Sequence, residues 1–480
     1  MKTLNINNLE ITTENQEIVY NALDVMQTMA LKEVYDGGLI PAWAKPAYEY
    51  SELMLGPIMT MMRRGVQIDV ARRDKLVAGL KERAVKVQAN FDSVCEQLWG
   101  TTINHNSTPQ LLYLFYTLLA IPEQTKSKKG ETKVGADREI LERIGKDYPR
   151  GAFLANHILR IRDLEKQVEF LTKKLSPANR FHCSYNLAGT ETFRLSSSEH
   201  PLRIGSNGQN INPLTRGCFV ADPGYVMFYS DQQSAESRLV AYLAGDENYI
   251  AAVEGGDTHT LVASMVFGFD PIRELADRQY YRELSYRDIA KRAGHACNYY
   301  AKPYTIAKNA MIELGIAEQF QSQYFRKFSQ ISDWHVSIAN NLQQKGYLKN
   351  PLGVRRNFWG RRWDDSTLRE AIAFGPQSTV GMLTNIGLYR LWEKFEGKPG
   401  ADVQILGNIH DAVIGQVRAD KVVELIPEIL DCLHFPFDIE DISGKTRSAL
   451  IPYEIEVGHN FGKAGPDNPD GLRKWKFPKK

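Results

Sequence analysis

The stretch that most constrains the fold is Tyr225–Arg238, which reads YVMFYSDQQSAESR. Residues Tyr225–Tyr229 are apolar or aromatic and predict a short buried strand that ends on an acid, Asp231. A segment of helical pattern follows and carries Glu236. A lone carboxylate at the end of a buried strand is desolvated and tends to take up a proton. A divalent cation supplies the missing positive charge, so this pattern indicates a metal site.

A second acid in a comparable position lies in Val403–Val417, which reads VQILGNIHDAVIGQV. Two apolar runs flank the four residues Asn408–Asp411, and this arrangement predicts a hairpin with the carboxylate of Asp411 at its tip. One acid cannot hold a catalytic pair of metal ions. The two strand-end acids, Asp231 and Asp411, are therefore candidate ligands of the same metals.

A basic helix is predicted between the two acids, over Arg287–Tyr300. Arg287, Lys291, His295 and Tyr299 recur every four residues, which keeps their side chains roughly on one helical face. Two cations suit phosphate oxygens, and an aromatic ring suits a base. Combined with two metal-binding acids, this face indicates a site that handles a nucleoside triphosphate.

These segments resemble the family A DNA polymerases, of which bacterial DNA polymerase I is the familiar member. The resembling motifs are Asp231-Gln-Gln-Ser-Ala-Glu236-Ser-Arg238 for the first palm motif, Arg287-x3-Lys291-x7-Tyr299 for the fingers helix, and Ile409-His410-Asp411 for the second palm motif. Each motif alone is weakly specific, but their order and spacing also agree. The resemblance runs from about Tyr20 to the C-terminus.

The resemblance implies an α+β fold, the right-hand polymerase, with a thumb, a palm built on an antiparallel sheet, and helical fingers. It implies the following division: an N-terminal remnant of an exonuclease-like domain at 1–45, the thumb and connecting helices at 46–185, the first part of the palm at 186–238, the fingers at 239–365, and the second part of the palm with the C-terminal tail at 366–480. Tyr20 and Asp24 resemble the last motif of a 3′–5′ proofreading exonuclease, or belong to a plain helix. Such a domain needs further carboxylates upstream, so we expect no proofreading in this chain.

The resemblance also implies template-directed DNA synthesis that uses two Mg²⁺ ions about 3.5–4 Å apart. Asp231, Asp411 and the carbonyl of Gln232 would bind the metals, and Lys291 would protonate the pyrophosphate that leaves. The candidate nucleotide-binding residues are Arg287, Lys291, His259, His295, Tyr299 and Glu236. The candidate DNA-binding residues are Arg194, Ser196, Gln209, Asn210, Arg369, Gln377, His410, Lys128 and Lys129.

The expected partners are primer-template DNA and deoxynucleoside triphosphates, and a separate exonuclease or processivity subunit is an open question. Glu236 would pack under the sugar and exclude a 2′-hydroxyl, which favours deoxynucleotides. No run reaches the roughly 18 apolar residues that a membrane span needs. The expected location is the cytoplasm, that of a host cell if the protein is viral.

Several residues depart from the family pattern. Ala412 stands where a glutamate is usual, His295 where a Phe or Tyr faces the sugar, and Tyr300 where a glycine follows the tyrosine. Gln233 and Ser234 also differ from the usual pair. These differences suggest a divergent branch of phage type and leave discrimination against dideoxynucleotides open.

Local patterns predict further elements. Asp69 is a candidate cap of a long helix that reaches Gly100, and Gln124–Lys133 predicts a basic loop. Gly346–Arg356 predicts a hairpin with a basic turn. Leu368–Lys394 predicts a helix that Gly-Pro at 375–376 kinks or interrupts.

Composition sets limits on function. The chain has 480 residues and a formal net charge of +2. A DNA-binding chain of this kind must therefore concentrate its basic residues locally. The five cysteines are scattered without a CxxC pair, which argues against a zinc site and suits a reducing compartment.

Two alternatives stay open. One is a catalytically inactive DNA-binding protein on the same scaffold, which the survival of both metal acids and both triphosphate cations argues against. The other is a single-chain RNA polymerase, which shares the metal acids and the lysine of the fingers. Glu236 argues against the second.

Overall fold

The computed structural model describes residues 26–128, 131–281, 284–397 and 400–477. Tyr20, Asp24 and Lys129, which were singled out from the sequence, lie outside these ranges. Helices and antiparallel strands alternate along the described chain, so the predicted α+β class is confirmed. Among the described helices, none combines the length and apolar character that a membrane crossing requires.

The helices differ widely in length. After helical turns at 26–34 and Tyr35–Leu39, they are Lys45–Arg64, Val70–Trp99, Thr108–Leu112, Tyr113–Leu118, Arg138–Asp147, Pro149–Leu171, Ala235–Ala244, Glu247–Glu254, Thr258–Phe267, Arg273–Ala276, Tyr286–Asn298, Pro303–Ala310, Leu314–Lys327, Ser329–Lys345, Asp365–Phe395 and Val422–Leu433. Short 3₁₀ turns occur at Gly208–Asn210, Arg216–Cys218 and Ala419–Lys421. We call Tyr286–Asn298 the basic helix.

The strands are mostly short. In chain order they are β1 Val66–Ile68, β2 Thr125–Lys128, β3 Glu131–Val134, β4 Arg180–Phe181, β5 Ser184–Asn186, β6 Ser196–Ser198, β7 Phe219–Val220, β8 Tyr225–Gln232, β9 Gln279–Tyr281, β10 Leu284–Ser285, β11 Tyr347–Lys349, β12 Arg355–Asn357, β13 Val403–Ile409, β14 Ala412–Arg418, β15 Phe437–Glu440, β16 Thr446–Ala449, β17 Tyr453–Gly458 and β18 Arg473–Lys474.

The chain forms two compact units. The first, which we call unit 1, comprises the described residues up to Leu53 with Val240–Thr379 and Ile439–Thr446. Unit 2 comprises Met54–Leu239, Val380–Asp438 and the remainder from Arg447. The five-part division expected from the sequence stays a prediction.

Unit 2 is organised around a five-stranded antiparallel sheet with the order β13-β14-β8-β17-β18. Its central strand, β8, pairs with β14 on one side and β17 on the other. Phe228 in β8 and Val413 in β14 are fully buried, which explains why both strands are almost continuously apolar. A second core in the same unit lies among the helices between Val70 and Leu171.

Unit 1 is built mainly from helices that pack around an aromatic core. Phe320, Tyr324 and Phe328 are fully buried there, and Trp334 is nearly so. The basic helix contributes apolar residues to this core, including Ile289. The helix is thereby amphipathic, with one face fixed by the core and the other free to carry cations.

Some local predictions are confirmed and others are wrong. Asp69 accepts a hydrogen bond from the backbone N–H of Arg72, as expected of a helix cap. The loop predicted at Gln124–Lys133 is wrong, because β2 and β3 pair there as a hairpin. Gly-Pro at 375–376 does not interrupt its helix, since one helix covers Asp365–Phe395, and a kink there stays a prediction. The many lysines suggested a loop because a strand is usually recognised by an apolar face. An isolated two-stranded hairpin can form without one.

Candidate active site

The two acids predicted from the sequence lie side by side in unit 2. Ala412 in β14 is the direct cross-strand partner of Asp231 in β8, and Asp411 immediately precedes Ala412. Asp411 occupies the two-residue turn between β13 and β14, as the hairpin prediction required. The other turn residue, His410, is exposed and has a left-handed backbone with a φ of 52°. Two carboxylates that are 180 positions apart in sequence therefore lie close together, at the same end of the neighbouring strands β8 and β14.

The turn that carries Asp411 is fixed by a buried amide. Asn408, only 1% exposed, donates hydrogen bonds from Nδ2 to the carbonyl oxygens of His410 and Ala412, both at 3.1 Å. Gln209 donates in turn from Nε2 to Oδ1 of Asn408 at 3.0 Å. The sequence interpretation missed Asn408. An amide between Leu406 and Ile409, in the mostly apolar β13, was the available signal, because a buried polar side chain in such a strand must have a specific partner.

Arg194 ties two of the candidate acids together. Its Nε and Nη2 donate to the two carboxylate oxygens of Asp411 at 2.8 and 2.9 Å, and Nη2 also donates to Oε1 of Glu236 at 2.5 Å. Burial opposes the charge of Arg194, but the two carboxylates outweigh that effect and raise its pKa. Asp411 and Glu236 are thus held in fixed orientations by one guanidinium group.

Asp231 differs from Asp411 because it forms no salt bridge with any described Lys or Arg. Asp231 as a whole residue is exposed near the end of its strand, but the surrounding protein removes part of the water around its carboxyl group. This desolvation, together with the negative charge of Asp411, raises the pKa of Asp231. The adjacent Gln232 is buried, and its Nε2 donates to Oγ1 of Thr384 at 2.9 Å and to the hydroxyl of Tyr453 at 2.7 Å. Gln232 is therefore held rigidly, which also fixes its backbone carbonyl.

The carboxylates of Asp231 and Asp411 are suitable ligands for a hard divalent cation. Within the described ranges, no group of three or more His, Cys, Asp or Glu side chains is arranged to hold a metal ion, so a bound cation would need ligands from outside the protein. Two neighbouring carboxylates with an uncompensated negative charge match the way Mg²⁺ binds, through one or two carboxylates while waters and substrate phosphates complete the shell. A carboxylate has about four lone-pair positions, so Asp411 can accept from Arg194 and still bind a cation.

The basic helix of unit 1 begins with a complete capping box. The Ser285 hydroxyl accepts from the backbone N–H of Asp288, and the Asp288 carboxylate accepts from the backbone N–H of Ser285. Arg287 lies in the first turn and is bound by Asp257, with Nη2 at 3.1 Å from Oδ1. Asp257 also caps the helix Thr258–Phe267 and accepts from Arg273. Asp257 thereby holds Arg287 in a set position.

His259 lies among the cations of the same unit. The pKa of His259 is lowered to about 4, mainly by burial and then by the positive charges of Arg287 and Lys291. Its imidazole is therefore neutral near pH 7. Arg287 and Lys291 supply the positive charge at this place, and His259 can offer a neutral N–H.

The basic helix ends earlier than the sequence predicted. Its last residue is Asn298, so Tyr299 is the residue that follows the helix and Tyr300 lies beyond it. The rings of His295 and Tyr299 nevertheless remain in contact, with centroids 4.9 Å apart. Tyr300 has a φ of 58°, a left-handed conformation that suits the glycine usual at this position in the family.

The remaining candidates are placed as follows. Ser196 begins β6, Gln209 is buried, Asn210 and Arg369 are exposed, Gln377 is half-buried, and Lys128 ends β2. Gln209 also donates to the carbonyl of Leu195 at 2.8 Å. Both amide hydrogen bonds of Gln209 go to the protein, so its observed role is to support the loop and the turn.

Comparison with known proteins identifies the family. The model of DNA polymerase family A matches residues 74–462. The thermostable DNA polymerase I of Thermus aquaticus is 26% identical over 426 residues, which cover 86% of this chain and 47% of that protein. DNA polymerase I of Chloroflexus aurantiacus is 27% identical over 478 residues, which cover 94% and 47%. The chain thus spans about half the length of the curated relatives it matches.

A solved structure is similar in fold. It is described as the POL domain of Pol1 from M. smegmatis in complex with DNA primer-template and dNTP. The TM-score is 0.69 at 21% sequence identity, and the likeness covers 84% of this chain and 69% of that one. Because the family model matches most of the 480 residues, the chain belongs to DNA polymerase family A.

Proposed function

We propose that the protein is a template-directed DNA polymerase that adds deoxynucleotides to the 3′ end of a primer. The observation that carries this proposal is the placement of Asp231 in β8 beside Asp411, in the turn that leads into the neighbouring strand β14, in a family A chain. A solved relative of similar fold is described in complex with primer-template DNA and dNTP, which supports the same partners here.

The metal ligands in this proposal are Asp231, Asp411 and the carbonyl of Gln232. Two bound Mg²⁺ ions would supply positive charge for the attacking and leaving oxygens of phosphoryl transfer. The primer 3′-oxygen would lose its proton to water and bond to the α-phosphorus, while the bond from the α-phosphorus to the bridging oxygen breaks and releases pyrophosphate. Lys291 would give a proton to the pyrophosphate. Arg194 keeps the Asp411 carboxylate oriented.

The nucleotide is bound, in this proposal, by the basic helix and its neighbours. Arg287 and Lys291 would neutralise the triphosphate, and the neutral imidazole of His259 would donate a hydrogen bond to it. The ring of Tyr299, beyond the end of the helix, would stack at the templating position, with His295 against the sugar. Preorganisation of Arg287 by Asp257 would reduce the entropy lost on binding.

The DNA contacts in the proposal involve exposed polar groups. Asn210, His410 and Arg369 are exposed and available for primer or template, whereas Gln377 is half-buried. Ser196 is half-buried at the start of β6, and small hydroxyls allow close approach of a backbone. The β2–β3 hairpin, with Lys128 and the neighbouring Lys129, would contact the duplex through its phosphates, without reading sequence. Glu236 would favour deoxynucleotides over ribonucleotides.

Primer extension with Mg²⁺ tests the proposal. Asp231→Asn and Asp411→Asn should each lower the extension rate by about 1000-fold, the equivalent of about 4 kcal/mol of transition-state stabilisation. Binding of duplex DNA should remain nearly unchanged. Asp467→Asn, which alters an exposed acid far along the chain, is the matched control and should retain full activity.

The alternatives give different results in the same assay. No extension by the wild-type protein would favour an inactive DNA-binding protein. Extension with ribonucleotides alone would favour an RNA polymerase. If Asp411→Asn lowers DNA binding as much as extension, a metal-binding role for Asp411 is contradicted.

A further inference from the structure

A short segment of unit 1 exposes two tryptophans that the site described above does not use. Trp359 is 91% exposed and Trp363 is 76% exposed, and between them lie Gly360, Arg361 and Arg362. Together with Gln343 these five residues line an open groove of about 760 Å³. We call the segment Trp359–Trp363 the tryptophan loop. Two indole rings left this open to water indicate a surface that another molecule covers.

The tryptophan loop is anchored at both ends, so the two rings project from a fixed base. Phe358, just before the loop, is buried, and its N–H donates to the carbonyl of Gly346 at 2.9 Å. Arg362 donates from Nη1 to the carbonyl of Gln343 at 3.2 Å. The long helix begins at Asp365, two residues after Trp363. A fixed base lowers the entropy that would be lost when the rings bind a ligand.

The charge around the tryptophan loop favours a polyanion. Arg361 and Arg362 are exposed within it, and Arg361 forms no salt bridge with a described residue. Two nearby acids are already paired, since Asp365 contacts Lys302 at 3.4 Å and Glu370 contacts Arg356 at 2.9 Å. Asp364, next to Trp363, can offset at most one of the two arginine charges. The groove therefore combines flat aromatic faces with uncompensated positive charge.

This combination is the one that single-stranded nucleic acid requires. Unpaired bases stack on aromatic side chains while arginines follow the phosphates, and any base can stack. Bases inside a duplex are already stacked and cannot offer their faces. We propose that the tryptophan loop binds single-stranded DNA, and that its occupant is the unpaired part of the template strand. This inference rests on the proposed polymerase function, which supplies such a strand.

The test uses the full chain and a labelled oligothymidylate of about 12 nucleotides, within the size that such sites span. Fluorescence anisotropy gives its affinity. The double variant Trp359→Ala/Trp363→Ala should bind about 30-fold more weakly, because two stacked bases lose their platforms. Trp359→Phe/Trp363→Phe should restore most of the affinity. The matched control is Tyr304→Ala, which removes another aromatic ring of unit 1 that is 72% exposed.

Salt dependence gives a second, independent measurement. Arg361→Gln should reduce the slope of log affinity against log salt by about 0.7, the value for one phosphate contact to a single strand. Blunt duplex of the same length should bind the wild-type protein and the double alanine variant equally. Because the substituted side chains are exposed, thermal unfolding should show the same midpoint for all variants.

Three results would overturn the inference: unchanged oligothymidylate affinity in the double alanine variant, an equal loss in Tyr304→Ala, or an equal loss of duplex binding. If only self-association changes in the double variant, the loop is a protein contact and the inference also fails. Primer extension tests the polymerase proposal independently of the binding by the tryptophan loop. Asp231→Asn should lower extension by about 1000-fold while keeping the tryptophan-dependent binding, so either proposal can fail without the other.

Discussion

Arg194 shows how one side chain changes the meaning of a candidate site. From the sequence, Arg194 was a possible contact to a base or phosphate. In the folded chain its guanidinium is bound by Asp411 and Glu236, at 2.8 and 2.5 Å. Asp411, the expected metal ligand, and Glu236, which was expected to pack under the sugar, therefore both bind the guanidinium of Arg194. No pattern of spacing reveals this, because the three residues come from segments that only the fold brings together.

Protonation of His259 provides a test of its burial. Its pKa is about 4 in the folded protein, below the ordinary value near 6.5. Above pH 6.5 the imidazole is neutral in both the folded and unfolded states. As the pH falls toward 4, His259 becomes protonated in the unfolded chain but stays largely neutral in the folded chain. The free energy of unfolding therefore decreases. Between about pH 7.5 and 4.5 this contribution should be on the order of 2 kcal/mol.

Urea denaturation at several pH values measures this contribution. His259→Gln should lose less stability than the wild-type protein across that window, because the variant has no imidazole to titrate. His459→Gln, at an exposed histidine, should follow the wild-type curve. Parallel curves for His259→Gln and the wild-type protein would show that His259 does not have a lowered pKa.

Among helices and strands, the sequence was most informative where side-chain periodicity is tied to burial. The strand carrying Asp231, the hairpin carrying Asp411 and the capped helix after Asp69 were all predictable, since each has a strong local signal. The β2–β3 hairpin was not, because polar lysine-rich strands lack an apolar face. Pro376 did not break its helix, because tertiary packing outweighs local propensity: Ala371, Ile372 and Phe374, just before it, are fully buried.

The end of the basic helix was also unpredictable, because a buried tertiary network sets it. Asn298 is 1% exposed, donates from Nδ2 to the Tyr249 hydroxyl at 2.9 Å, and accepts from the Tyr324 hydroxyl at 2.7 Å. His335 also donates from Nε2 to the Asn298 carbonyl at 2.9 Å. Three other helices are thus joined to the last turn of the helix that carries Arg287. Only the folded chain shows these partners.

Replacing that amide should destabilise unit 1. Asn298→Leu keeps a similar volume but removes a hydrogen-bond partner from two buried tyrosine hydroxyls, so the free energy of unfolding should fall by about 2–3 kcal/mol. Chemical denaturation followed by fluorescence measures the change. Asn340→Leu, at an exposed position of a neighbouring helix, should shift stability by no more than about 0.5 kcal/mol. Equal effects of the two substitutions would contradict a structural role for the Asn298 network.

Charge is the property of the entire chain that matters most for the DNA binding proposed above. The formal net charge is only +2 and the sequence pI is about 8.1. Affinity for a polyanion must therefore come from local groups such as Arg361 and the cations of the basic helix, not from overall charge. Arginine keeps its proton above pH 12, and lysine has an ordinary pKa near 10.4. Raising the pH past the pI reverses the net charge, whereas arginine and lysine side chains in general stay positive there.

This separation of local from overall charge predicts that DNA binding survives above the pI. Between about pH 7 and pH 9, affinity for primer-template DNA should change by less than about 3-fold, with the same salt slope, because each phosphate contact releases its own counterion. Buried thiols add no charge over this interval, since burial raises the pKa of Cys95 and of Cys218 to about 11. Anisotropy titrations at several salt concentrations measure both quantities. A loss of affinity that follows the net charge, with a flattened salt slope, would show instead that binding depends on the average field of the protein.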